Sequence, residues 1–247
     1  MLLIITGGIG FLTWDDIKTH GFHFRKYRMQ SKVVLLMTVF LLIIPAVYFY
    51  CAEFSSSLFN DMTAGQKVLA SFFQTVTART AGFNTIDFNM LSETGRFLLI
   101  LLMLIGGCSG STAGGMKTTT IAVLFASAVS VFKRRHNARL HGRRIEDETV
   151  KTASSIFFMY LSLFSLSAMV ISFIEKIPLV DCLFETASAI ATVGVTMGIT
   201  PYLSAVSHII LMCLMFFGRV GGLTLIYATF TKHADVSKLP QEKIMVG

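Results

Sequence analysis

Charge is scarce in this sequence. Only 14% of its 247 residues are Asp, Glu, Lys or Arg, while 53% are apolar, and the mean hydropathy is +0.68. A soluble domain carries nearer a quarter charged residues. The four cysteines, Cys51, Cys108, Cys182 and Cys213, have no ligand spacing and lie in or near apolar segments. Buried free thiols are expected there. His208 sits in an apolar run and reads as a packed or interfacial side chain rather than a metal ligand. No phosphate-binding loop, catalytic triad or pair of catalytic carboxylates is present, so the chain reads as a non-enzyme.

The scarcity is organised. Val33 to Ala52 and Thr152 to Ile174 contain no charge, Phe97 to Phe132 contains only Lys117, and Pro201 to Thr231 contains only Arg219. Each gap reaches the roughly 20 residues that cross a bilayer core as a helix, so four spanning segments are expected in an all-α, multi-pass membrane protein. Most of the 21 lysines and arginines fall before the first gap, between the second and third, or in the tail. The positive-inside rule puts those three segments in the cytoplasm. The net charge of +7 is thus a topology signal, not a nucleic-acid footprint, although the basic loop "FKRRHNARLHGRR" could touch anionic lipid.

The two outer segments, Glu53 to Gly95 and Glu175 to Thr200, each hold an apolar run too short to span: "AGQKVLASFFQTVT" and "PLVDCLFETASAIA". A short helix that enters and stops must be followed by irregular backbone buried in protein or lining a wet cavity. An amphipathic helix lying on the bilayer is the alternative. An internal repeat favours the re-entrant reading. The offset that sets Gly82 over Gly194 also lays "LLMLIGGCSG" (Leu101–Gly110) on "CLMFFGRVGG" (Cys213–Gly222). Each unit therefore reads as outer helix, re-entrant pore helix, loop, inner helix. The opening "MLLIITGGIGF" reads as the stub of another inner helix, and the chain as the C-terminal part of a longer protein.

A loop at the tip of a pore helix can replace water around a cation with inward carbonyls. Glycine permits the angles this needs, and the negative end of the helix favours the ion. Thr80, Ala81, Gly82 and Phe83, with Thr192, Val193, Gly194 and Val195, read as two quarters of a selectivity filter. Potassium would sit at Thr80–Gly82 and Thr192–Gly194. "GGCSGSTAGG" places Gly106, Gly107, Ser109, Gly110, Ser111, Gly114 and Gly115 at mid-membrane depth. Their density leaves two readings open: a gating loop, or close helix packing through small residues. Arg219 aligns with Gly107. It reads as a barrier charge beneath the filter, or as a structural partner of Glu185 or a loop carbonyl. Arg79 is expected to hold the filter from behind, donating to carbonyls or pairing with Asp87 or Glu93.

The segments "QTVTARTAGFNTIDF", "GGCSGSTAGGMKTTT", "ATVGVTMGITP" and "FFGRVGGLTL" resemble the third and fourth repeats of the KtrB-like membrane subunits of the Trk/Ktr/HKT potassium transporter superfamily. The resemblance implies a potassium-channel-like fold of four such units, a homodimer, potassium as substrate with sodium coupling in several members, and a cytoplasmic KtrA-like nucleotide-binding regulatory ring. It favours the gating-loop reading of Gly106–Gly115, and no covalently bound cofactor is implied. Residues 1–31 are then the end of an inner helix and a cytoplasmic linker. Residues 32–150 form one pore unit (outer helix 32–52, pore helix 64–77, filter 78–84, broken inner helix 96–132) with the basic loop. Residues 151–231 form the next (outer helix 151–174, pore helix 179–191, filter 192–196, inner helix 202–231), and 232–247 a cytoplasmic tail. Two alternatives stand beside this reading. One is a non-transporting remnant or assembly module. The other is a secondary transporter of another solute, which would call for inverted repeats.

Overall fold

The computed structural model describes residues 1–224 except 22, 56–58, 60, 61, 112, 136 and 223. They are mostly helical. Two short helices, α1 (Leu2–Gly8) and α2 (Phe11–His20), open the chain. Then come α3 (Met29–Tyr48), α4 (Ala64–Thr77), α5 (Glu93–Leu104) and α6 (Thr118–Phe132). After a small antiparallel pair, β1 (Arg139–Leu140) with β2 (Arg143–Arg144), follow α7 (Asp147–Glu175), α8 (Leu179–Ile190) and α9 (Ala205–Val220).

Two of these helical stretches, Met29–Glu53 and Asp147–Glu175, are long and apolar enough to cross a membrane. The first includes Pro45, which removes one helical donor, and a π turn at Phe49–Glu53 absorbs the resulting slack. The second ends at Lys176 in the left-handed region, φ 56°. The gap from Phe97 to Phe132 is not one helix. It breaks between α5 and α6, where the glycines fall. The chain beyond 224, including the expected end of the last inner helix and the tail 232–247, lies outside the described residues.

Helix starts follow local chemistry. Thr63 and Gln66 form a reciprocal capping box at α4. Pro178 precedes α8 and Asp181 lies in its first turn. Ser92 and Ser204 cap α5 and α9. Each of these serines also meets a glutamate from the end of the preceding long helix. Ser92 donates its amide to Glu53 at 3.0 Å, and its hydroxyl binds the same carboxylate. Ser204 donates amide and hydroxyl to Glu175 at 2.9 and 2.5 Å, and Ser207 adds a third hydrogen bond. The same device thus ties the long helix to the later helix in both halves.

One core runs through both halves, with Phe49, Phe54 and Phe88 against Phe184, Ile190 and Leu214. In lipid the association of helices rests on close packing and polar bonds rather than on water exclusion. The helix α8 shows this: every residue from Phe184 to Ala191 is buried. A methyl at Gly218 of α9 would run into the Ile190 carbonyl. The helix α4 is covered on one side only, leaving Val68, Leu69 and Phe72 exposed.

Candidate functional site

The segments that follow α4 and α8 share a backbone pattern. Thr80 has φ 64° and Gly82 φ 74°; Thr192 has φ 55° and Gly194 φ 89°. The residue between each pair, Ala81 or Val193, is not among those with positive φ. An alternating sign of φ turns successive carbonyls to one side of a strand. The amides are drawn the other way: Ala81 donates to Thr77 O at 3.1 Å, and Val193 to Ser188 O at 2.9 Å. The two segments face each other. A Cβ on Gly82 would collide with the Val193 carbonyl, and one on Gly194 would lie 4.0 Å from Gly82 Cα.

The supports behind the segments differ. In the first, the Thr77 hydroxyl donates to Phe83 O at 2.6 Å and accepts from Phe83 N at 3.1 Å. In the second, the buried Glu185 carboxylate accepts from Thr196 Oγ1 at 2.5 Å, Met197 N at 2.9 Å and Thr200 Oγ1 at 2.8 Å. Glu185 is therefore engaged by its own loop, not held in reserve for Arg219. Arg79 is buried, as a bracing residue should be, but its partner is not the expected one. Its guanidinium reaches Cys108 Sγ at 3.7 Å, while the Asp87 carboxylate is taken by Asn89.

The glycine-rich break between α5 and α6 is held by hydrogen bonds among its described residues. Ile105 bridges Met116, Gly106 donates to Met116 O at 2.8 Å, and Thr118 donates to Gly107 O at 3.2 Å. Cys108 N reaches Gly8 O and Phe11 N reaches Gly110 O, so the loop is stitched to the start of the chain. Ser109 bonds Thr119 at 2.7 Å, and Ser111 returns to Cys108 O at 2.7 Å. Lys117 donates across the loop to Ala113 O. The loop passes against the base of the second segment. A methyl on Gly114 would overlap the Thr192 side chain, and one on Gly115 would lie 3.2 Å from Ala191 Cα. Arg219, one residue beyond the contact of Gly218 with Ile190, is exposed.

His208 bonds Ser204 O at 3.0 Å. Cys108 and Cys182 are buried, whereas Cys51 and Cys213 are exposed on the apolar surface. A cavity of about 680 Å³ opens between α3, α6, α7 and the underside of the loop, with Ser109, Lys117, Glu146 and Glu148 in its wall.

Residues 1–244 match the sequence profile of the TrkH family, described as a cation transport protein. Among curated relatives, a potassium/sodium uptake protein, NtpJ, of Enterococcus hirae is 39% identical over 252 residues, covering 99% of this chain and 56% of that protein. Ktr system potassium uptake protein B of Vibrio alginolyticus is 33% identical, covering 99% of this chain and 54% of its own. The chain thus spans about half the length of these relatives. The crystal structure of the potassium transporter TrkH from Vibrio parahaemolyticus shares the fold, with a TM-score of 0.74 at 20% identity, over 93% of this chain and 50% of that one.

Proposed function

This chain belongs to the TrkH family of cation transport proteins, and from that premise we propose that it forms part of a potassium-conducting pore in the cell membrane. The observation that carries the proposal is the matched pair of segments, with positive φ at Thr80 and Gly82 and again at Thr192 and Gly194, facing across a narrow gap. Inward carbonyls there would take the place of potassium's water. Two such segments supply half of a four-part ring. The exposed face of α4 (Val68, Leu69, Phe72) offers a surface for the next unit of that ring.

In this reading α3 and α7 are outer helices, α4 and α8 pore helices, α5–α6 and α9 inner helices. The basic segment 133–151 faces the cytoplasm. The loop Gly106–Gly115 and Arg219 act as the gate. The loop touches Thr192, and the positive charge of Arg219 on α9 raises the barrier to a cation. A homodimer, a KtrA-like nucleotide-binding ring and sodium coupling belong to the same proposal; the name of one relative, a potassium/sodium uptake protein, supports the last, and that of another, a component of a Ktr system, supports assembly with other subunits.

The test is uptake of rubidium by liposomes holding the assembled transporter, with potassium, sodium and choline as competitors. Potassium should compete best and choline not at all. Uptake that all three cations suppress equally, or no uptake from folded protein, would remove the proposal.

A further inference from the structure

The outer side of the paired segments carries a polar chain that crosses from one half to the other. Glu185 lies in the middle of α8 and is 4% exposed. A buried carboxylate is costly unless its oxygens are satisfied. Here one oxygen takes Thr196 Oγ1 and Met197 N, and the other takes Thr200 Oγ1. The Thr196 and Thr200 hydroxyls also meet each other at 3.0 Å, and Thr196 Oγ1 accepts from Gly198 N at 2.9 Å. Every donor belongs to the loop that leaves Gly194.

Met197 is held from both sides. Its amide goes to Glu185, and its carbonyl accepts from Asn89 Nδ2 at 3.2 Å. Asn89 belongs to the first half, and Asp87 fixes it through two hydrogen bonds at 2.9 Å. The chain Asp87–Asn89–Met197–Glu185 therefore runs from the loop after Gly82 to the helix beneath Gly194. The first half has no such acid. Phe73 stands where the repeat would place it, and the neutral side chains of Gln74 and Thr77 do the supporting.

We propose that Glu185 is a specificity-determining positioning residue. Its carboxylate braces Val195–Thr200 and, through Met197 and Asn89, fixes the second filter segment against the first. The inference rests on the filter reading given above. Charge-assisted bonds to backbone and hydroxyl donors set position more firmly than neutral ones. Their loss should therefore blur ion preference before it abolishes flux.

Rubidium uptake against sodium competition, in the assembled transporter and normalised to folded protein, is the readout. Glu185→Ala should lower the potassium-over-sodium preference about tenfold, the size expected where charge-assisted hydrogen bonds are lost. Glu185→Gln keeps an acceptor for Met197 N and a donor for Thr200, so it should restore most of the preference. Thr196→Val with Thr200→Val removes two donors without touching the acid and should give an intermediate loss, which keeps the test decisive if Glu185→Ala does not fold. Asn89→Ala should lose less, and should add little to Glu185→Ala because both break one chain. Flux that falls with preference unchanged in Glu185→Ala, or in the double valine variant, overturns the inference. Gly194→Ser separates the two levels. If it destroys preference while the brace variants do not, only the brace is wrong; if it too leaves preference intact, the filter reading and the brace fall together.

Discussion

Replacing either filter glycine by serine strains the backbone, but the two sites differ in what a side chain would meet. Gly82 and Gly194 both have positive φ, at 74° and 89°. Holding a residue with a Cβ in that region costs about 1–2 kcal/mol. At Gly194 that is the whole penalty, because a Cβ would come no nearer than 4.0 Å to Gly82 Cα. At Gly82 the Cβ would drive into the Val193 carbonyl, a backbone atom with no rotamer to retreat into. Overpacking of that kind adds about 1–3 kcal/mol. In the proposed filter the strain would be relieved by turning the carbonyls assigned to the ion. The loss of potassium preference is therefore bounded at roughly 5- to 30-fold for Gly194→Ser, with 1.4 kcal/mol per factor of ten. For Gly82→Ser the bound rises to the whole preference. Sodium competition during rubidium uptake, normalised to folded protein, measures both. Equal losses, or a larger loss at Gly194, would refute the geometry that places the Val193 carbonyl against Gly82.

Other expectations concern the loop, the charge beneath it and the first helical junction. Gly114→Ala should destabilise the protein by about 1–3 kcal/mol through overlap with Thr192, and Thr192→Ala should restore thermal stability in detergent. Arg219→Ala should raise potassium flux in liposomes, because it removes a positive charge beneath the pathway; unchanged or lower flux per folded protein would leave helix packing as the better account of this region. Asp16 is buried between α2 and α3, where the Ser31 hydroxyl above all, then the Arg28 amide and guanidinium, hold its carboxyl below the ordinary 3.8 against the opposing effect of burial. A carboxylate with a lowered folded pKa stabilises above its ordinary value, and that contribution is lost as pH falls through the folded value. Asp16→Asn should therefore lower the melting temperature at neutral pH, with the difference from the parent protein vanishing well below pH 3.8. A difference that persists in acid would mean that shape rather than charge matters at this junction.

The helical, membrane-embedded character of the chain was legible because lipid imposes one strong rule, and the charge-free gaps at Val33–Ala52 and Thr152–Ile174 obey it. Family membership was legible from the glycine-centred segments, whose residue types are forced by backbone geometry. The links between helices were not legible. Glu53 and Glu175 looked like charges flanking apolar runs, yet each anchors a serine cap. The repeat offset that aligns the glycines also aligns Ser92 with Ser204, but Glu53 lies 39 residues before its serine and Glu175 only 29 before its own, so the caps are in register and the carboxylates that hold them are not. Arg79 and Glu185 were visible as buried-segment charges, but pairing by opposite sign was the wrong guide. Arg79 meets a thiol, and Glu185 meets hydroxyls and an amide, contacts that depend on the fold bringing distant residues together rather than on charge sign.

The threonines ahead of the two glycines carry the argument furthest. Residue type points to glycine for a positive φ, so Gly82 and Gly194 could be read from the sequence, whereas Thr80 and Thr192 could not. A β-branched residue in the left-handed region is a genuine outlier, and each such residue stores about 1–3 kcal/mol that surrounding contacts must hold. Those contacts are visible. The following residue's amide is tied to the pore helix in both halves, Ala81 to Thr77 O and Val193 to Ser188 O, and the Thr192 side chain is wedged against Gly114. Strain at a single site could be an accident of packing. The same strain at the same position of two units, two residues apart from the same glycine angle, fixes the direction of three successive peptide groups in each. A surface loop has no use for that, since water would satisfy its carbonyls in any orientation. The proposed filter, which would present several carbonyls to one desolvated cation, does.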